Sequence, residues 1–254
     1  MSVSPSWVRY ANRHGWLWRG VVPARELAGA TFWAQAARVT CIAEGGNVDM
    51  VQCYDAGIFT AGPLGATAAF GTLAKLLVDI PANLREQHLG ELCEERCLAF
   101  DGTSFRMGLR AATADDLKRV FLGNGDETTW GPDDPEAVLA RRWVEAFAAL
   151  LADPAALRGI ALASGKTLQA FLAPEAAQLL GTVQNPGLAP ANPRATACFL
   201  AFAINNPRGA LRVLKAAGPD ADRMLDVASH PGTWPDTFPQ RVGRTRTALA
   251  AETW

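Results

Sequence analysis

Between Pro23 and Gly46, Ala, Leu, Phe, Trp and Val dominate, and Leu27, Thr31, Ala34, Arg38 and Cys41 fall at intervals of three and four. That period predicts a helix over 24–43. Pro23 leads into it, at a position where a missing N–H costs little. Glu44 closes the run, and Gly45-Gly46 stops it. From Val48 to Ala61 the period falls to two. Val48, Met50, Gln52 and Tyr54 alternate with Asp49, Val51 and Cys53, and Asp55-Ala56-Gly57 separates them from Ile58-Phe59-Thr60-Ala61. Strand, tight turn, strand is the simplest reading. Helical texture returns over Ala66–Val78 and from Pro81 to Cys97. A second hairpin is expected over Leu98–Leu109, with Asp101-Gly102 at its turn. After Thr113 the pattern is helical throughout. Helices are expected over 113–122, 135–152, 154–163, 166–180, 194–205, 208–217, 220–228 and 239–252, with Thr113 and Asp116 placed as a capping box.

These elements predict a mainly α protein of the α+β class, with one small antiparallel hairpin or sheet near residues 48–61. Residues 1–22 have no clear period. They hold Trp7, Tyr10, Trp16 and Trp18 and read as an aromatic arm that must pack on the body of the chain or dock on a larger particle. Residues 23–254 then form a single domain, with a helical second lobe from about 113. No repeat of solenoid length is present.

Composition narrows the chemistry. The 254 residues are 49% hydrophobic, enough for a substantial core. Lys plus Arg number 24 and Asp plus Glu 25, a formal charge of −1. Without a basic excess, neither nucleic acid nor an anionic membrane surface is an expected partner. The apolar stretch Ala195–Ile204 is too short to span a bilayer, and Ala61–Ile80 is interrupted by Lys75 and Asp79, so no membrane span is expected. The first residues lack the pattern of a secretory signal, which places the chain in the cytoplasm as synthesised. Five cysteines cannot close a disulfide framework among themselves. Cys93 and Cys97 share a helical face, but no second pair or His cluster completes a tetrahedral set. No metal and no cofactor is expected, and the usual glycine-rich phosphate loops do not occur.

The carboxylates of the first half carry the candidate chemistry. Glu44 ends an apolar helix bearing Trp33, Val39 and Cys41, and burial there would favour its protonated form. Asp55 lies in a polar turn that would keep it ionised, and Thr60 follows on the next strand. A protonated carboxyl paired with an ionised one is the equipment of glycosidic hydrolysis. Each residue also has a plainer reading: a solvated helix end, an Asp turn and a β-branched strand former. Asp49 competes as second carboxylate but shares a face with Val51 and Cys53. Trp130 and Trp143 are candidates for stacking on sugar rings, although Trp143 lies in a helix with Leu139, Phe147 and Leu150 and reads as core.

The segment Glu44-Gly45-Gly46, followed by Tyr54-Asp55-Ala56-Gly57-Ile58-Phe59-Thr60-Ala61-Gly62, resembles the catalytic region of the lysozyme superfamily. That group takes in phage-type lysozymes, lytic transglycosylases and chitosanases. The resemblance covers roughly residues 24–80. It implies a lysozyme-like fold and a glycoside hydrolase acting on peptidoglycan or a related aminosugar polymer. By position it makes Glu44 the general acid, Asp55 its partner and Thr60 the residue that orients water. Gln52 and Tyr54 are expected to bind substrate. The Glu–Asp interval is longer and the Asp–Thr interval shorter than in the phage-type pattern. The Gln of the transglycosylase segment is missing, which favours a muramidase-like or chitosanase-like pocket. Such an enzyme would reach a cell wall after lysis or by particle-mediated delivery. The alternative is a lysozyme-fold structural or cell-puncturing component of a phage tail or contractile injection particle, docked through the N-terminal arm.

Overall fold

The computed structural model describes residues 7–9, 16–53, 58–123, 134–182, 189–230 and 238–254; of 7–9, 238 and 239 it describes the backbone only. The chain is mainly α with small antiparallel sheets. It divides into two compact units interleaved along the sequence. Unit 1 takes residues 1–26 and 47–163, and unit 2 takes 27–46 and 164–254.

The sheet of unit 1 is larger than the hairpin expected from the alternation. Five strands run in sequence order as a meander: β1 (Trp7–Arg9), β2 (Trp16–Trp18), β3 (Val51–Gln52), β4 (Thr60–Ala61) and β5 (Ala66–Thr67). The expected pairing of the 48–61 region is present, with Val51 opposite Ala61 and Gln52 opposite Thr60. The N-terminal segment supplies two strands. Leu17 lies opposite Gln52, and Trp18 opposite Val51. Trp16 Nε1 donates to Ala137 O at 2.8 Å and Trp18 Nε1 to Asp49 Oδ2 at 3.0 Å, so both indoles find their polar partners inside unit 1. Tyr10 lies outside the described residues.

Helices α2 (Thr72–Val78), α3 (Ala82–Glu95), α4 (Ala114–Leu122) and α5 (Pro135–Ala152) complete unit 1 with a second sheet. That sheet comprises β6 (Leu98–Phe100), β7 (Phe105–Met107) and β8 (Arg110–Ala111). Its turn is fixed by Asp101, whose Oδ1 accepts from the backbone N–H groups of Thr103 and Ser104. The core is aromatic. Phe59 stacks on Phe121 with centroids 4.7 Å apart, and Trp143 meets Phe121 edge-on at 4.9 Å. Trp143 is buried and donates Nε1–H to Val120 O at 2.9 Å, which makes it core rather than a sugar platform.

Helix α1 (Phe32–Glu44) belongs to unit 2 and starts later than its apolar pattern suggests. Thr31 Oγ1 accepts from Ala34 N, an N-cap worth about 1 kcal/mol. Residues 24–26 form only a 3-10 turn. Around α1 pack α8 (Pro193–Ala203) and α11 (Phe238–Ala251), with α9 (Pro207–Ala217) and α10 (Ala221–Ser229) against α8 and α7 (Pro174–Leu180) against α9. Residues 195–203 of α8 are buried on every side, the signature of a central helix. Helix α6 (Leu157–Ala170) runs unbroken through Ser164-Gly165, where a break was expected. A Cβ on Gly165 would sit 3.0 Å from Trp33 Cβ, so that glycine serves close packing and not a turn. The side chains of Arg38 and Glu252 form a two-bonded ion pair at 2.6 and 2.7 Å, which ties α1 to the residues after α11.

Among the described residues no single helix is long and apolar enough to cross a membrane.

Candidate functional site

Glu44 is the last residue of α1. The helix stops because Gly45 and Gly46 both take positive φ and both donate backbone N–H to Cys41 O. The Glu44 side chain is 19% exposed and belongs to a cluster within unit 2. Its Oε1 lies 2.5 Å from an Arg241 guanidinium nitrogen and accepts from Asn205 Nδ2 at 2.5 Å. Arg241 also donates to Ala201 O at 3.1 Å and is itself mostly buried. No hydrogen bond to Oε2 is present among the described residues. The unpaired apolar setting expected at this helix end is therefore absent. In its place is a carboxyl whose contacts, to a guanidinium and an amide, meet at one oxygen. Asn205 and Arg241 carried no sequence signal. They are 161 and 197 residues away, on the C-terminal side of α8 and in α11.

The remaining expected site residues belong to unit 1. Thr60 is buried on β4, between Gln52 of β3 and Thr67 of β5 in one cross-strand row. Gln52 is half-buried. These two expected residues are brought together as direct neighbours. Thr67 continues the polar row: its N–H donates to Thr72 Oγ1 at 2.7 Å. Asp55, Tyr54 and Trp130 lie outside the described residues. The glycine of the Thr60-Ala61-Gly62 run has a structural reason. Gly62 has φ +83°, and a Cβ there would come within 2.8 Å of Leu76.

Asp49 behaves differently from Glu44. It is fully buried, and its carboxylate accepts from Trp18 Nε1 at 3.0 Å, from Val21 N at 2.9 Å and from Val22 N at 2.8 Å. Every bond serves the fold, which removes it as a competing second carboxylate.

The cysteines are free thiols. Cys41, Cys53 and Cys198 are buried, and burial together with Glu86 pushes the Cys93 thiol up to about 11, away from reactivity. Among the described residues no three or more His, Cys, Asp or Glu side chains converge. A cavity of about 400 Å³ opens in unit 1 between Arg96, Met107, Arg119 and Leu139. It contains none of the expected site residues. Of its two carboxylates, Asp116 and Glu136, the first is held by Arg110 and by Thr113.

Comparison with protein-family models, with curated proteins and with solved structures finds no match.

Proposed function

We propose that the chain is a glycoside hydrolase of lysozyme-like type, acting on peptidoglycan or a related aminosugar polymer. The observation that supports this reading is the Glu44 carboxyl: fixed at Oε1 by Arg241 and Asn205, bare at Oε2, and one-fifth exposed at a helix end. A proton donor must be oriented before it reacts, and the Asn205 amide and the neighbouring guanidinium orient this carboxyl through one oxygen. In the proposed reaction Glu44 delivers a proton from Oε2 to the glycosidic oxygen as the C–O bond breaks. Asp55 is assigned by the resemblance as its ionised partner, acting as nucleophile or by activating water. Thr60 orients that water, and Gln52 and Tyr54 hydrogen-bond the sugar. Access to a wall would follow lysis or particle-mediated delivery.

The test is a zymogram on peptidoglycan and on chitosan, with wild type and Glu44→Gln side by side. Glutamine keeps an acceptor for Asn205 and removes the donatable proton. Turnover is expected to fall by about 10²-fold or more. Undiminished hydrolysis by Glu44→Gln would remove the assignment. A wild type inert on every aminosugar polymer would leave the particle-component reading in its place.

A further inference from the structure

The cavity of unit 1 is assembled from separate pieces of chain. Arg96 follows α3, Met107 lies on β7, Arg119 and Val120 belong to the end of α4, and Pro135, Glu136 and Leu139 to the start of α5. At about 400 Å³ it falls within the roughly 300–1,000 Å³ of small-molecule sites. Its wall has two kinds of surface. Met107, Val120, Pro135 and Leu139 are apolar, and Val120 and Leu139 are buried. Arg96 and Arg119 are cationic, and neither has an ion pair among the described residues. Arg208, Arg212, Arg223 and Arg244 share that lack but stand on the exposed faces of single helices. Arg96 and Arg119 come from different elements and meet at one hollow. Of the carboxylates in the wall, Asp116 is already neutralised by Arg110, at 2.5 and 3.0 Å. Glu136 lies in the first turn of α5, where a negative charge suits the helix dipole. Two guanidinium groups against that one carboxylate leave a surplus of a single positive charge.

We propose that this cavity is a binding site for a small amphipathic monoanion, a carboxylate carried on an apolar body of about ten carbon atoms. The apolar wall takes the body. Arg96 and Arg119 take the carboxylate, which a guanidinium fork can grip with two bonds. A surplus of one positive charge suits one carboxylate better than a doubly charged phosphate ester. The site contains no part of the Glu44 cluster, so the inference stands or falls apart from the hydrolase reading.

The experiment titrates the full chain, isotope-labelled at its methionine methyl groups, with phenylbutyrate, its neutral counterpart phenylbutanol, and phenylpropyl phosphate. The Met107 signal, identified with Met107→Leu, is expected to move saturably with phenylbutyrate, while that of Met224, buried in unit 2, stays fixed. Phenylbutanol is expected to bind about tenfold more weakly, and phenylpropyl phosphate no more tightly than the acid. Arg96→Gln/Arg119→Gln is expected to weaken phenylbutyrate by about tenfold, the scale of two partly screened charge contacts, and to leave phenylbutanol where it was. Arg208→Gln/Arg212→Gln, which removes two positive charges from unit 2, is expected to bind unchanged. A Met107 signal that does not move, equal affinity for acid and alcohol, a preference for the phosphate, full affinity in Arg96→Gln/Arg119→Gln, or equal loss in the control would each overturn the proposal.

Discussion

Glu44 and Asp49 are five residues apart in sequence and belong to different units. Asp49 has no exposed surface, and both of its oxygens are engaged by donors that the backbone and Trp18 hold in place. Glu44 keeps one oxygen tied and one bare. A carboxylate with every lone pair committed is a construction member. One with a held side and a spare side is what the proposed reaction requires. The contrast lies in the donors around each group, not in residue type or chain position.

The comparison can be broken by substitution. Asp49→Ala leaves Trp18 Nε1 and the Val21 and Val22 N–H groups without their acceptor in a buried place. At about 1–3 kcal/mol for each stranded donor, the loss should reach about 3 kcal/mol or more, measured by denaturant unfolding. Glu44→Gln keeps an acceptor for Asn205 but takes the counter-charge from a mostly buried guanidinium, so by the same measurement it should cost about 1–2 kcal/mol, more than a surface pair and less than Asp49→Ala. Equal losses at the two sites would erase the distinction drawn between them.

Arg241 sharpens the comparison from the other side. If it positions Glu44, Arg241→Gln should lower kcat by about tenfold with little change in KM, and should move the pH–rate profile. A purely structural role would reduce the folded fraction and leave that profile where it was.

The smallest effect concerns a third carboxylate. Asp116 sits in the capping box of α4, where the Arg110 guanidinium, then the Thr113 N–H and hydroxyl, hold its carboxyl well below the usual carboxylate range. The folded-state value lies below the unfolded one, so this contribution is complete above about pH 4 and fades as pH falls below that. The Tm gap between wild type and Asp116→Asn should therefore narrow steadily on acidification. A gap that widened in acid would contradict the assignment.

Much of this was legible in the sequence wherever one local rule decided the outcome. The Thr113–Asp116 capping box forms as read, α5 runs from Pro135 to Ala152, and the Asp101-Gly102 turn joins two paired strands. Local rules failed where distant packing overrode them. Gly165 looked like a helix break and is a contact with Trp33. The stretch 24–30 looked helical, yet Gly29 has φ +129° and Thr31 caps α1. The aromatic arm looked irregular because three-residue strands are too short to show a period. At the candidate site, Glu44 was visible through its glycine stop. Asn205 and Arg241 were not, because nothing in a linear pattern links a helix end to side chains more than 150 residues downstream.

The interleaved path has a consequence for biosynthesis. Helix α1 leaves the ribosome early, but α8 and α11, against which it packs, are encoded at 193–203 and 238–251. At about 5–20 residues per second, that is a wait on the order of ten seconds or more. Until α6 and α8 follow, Phe32, Trp33, Val39 and Cys41 lack their native helical neighbours, and α11 completes the set last, after unit 1 has received the rest of its chain. A nascent chain stalled between these points should present α1 to whatever chaperone binds apolar helices, and release it only when the last helix is made.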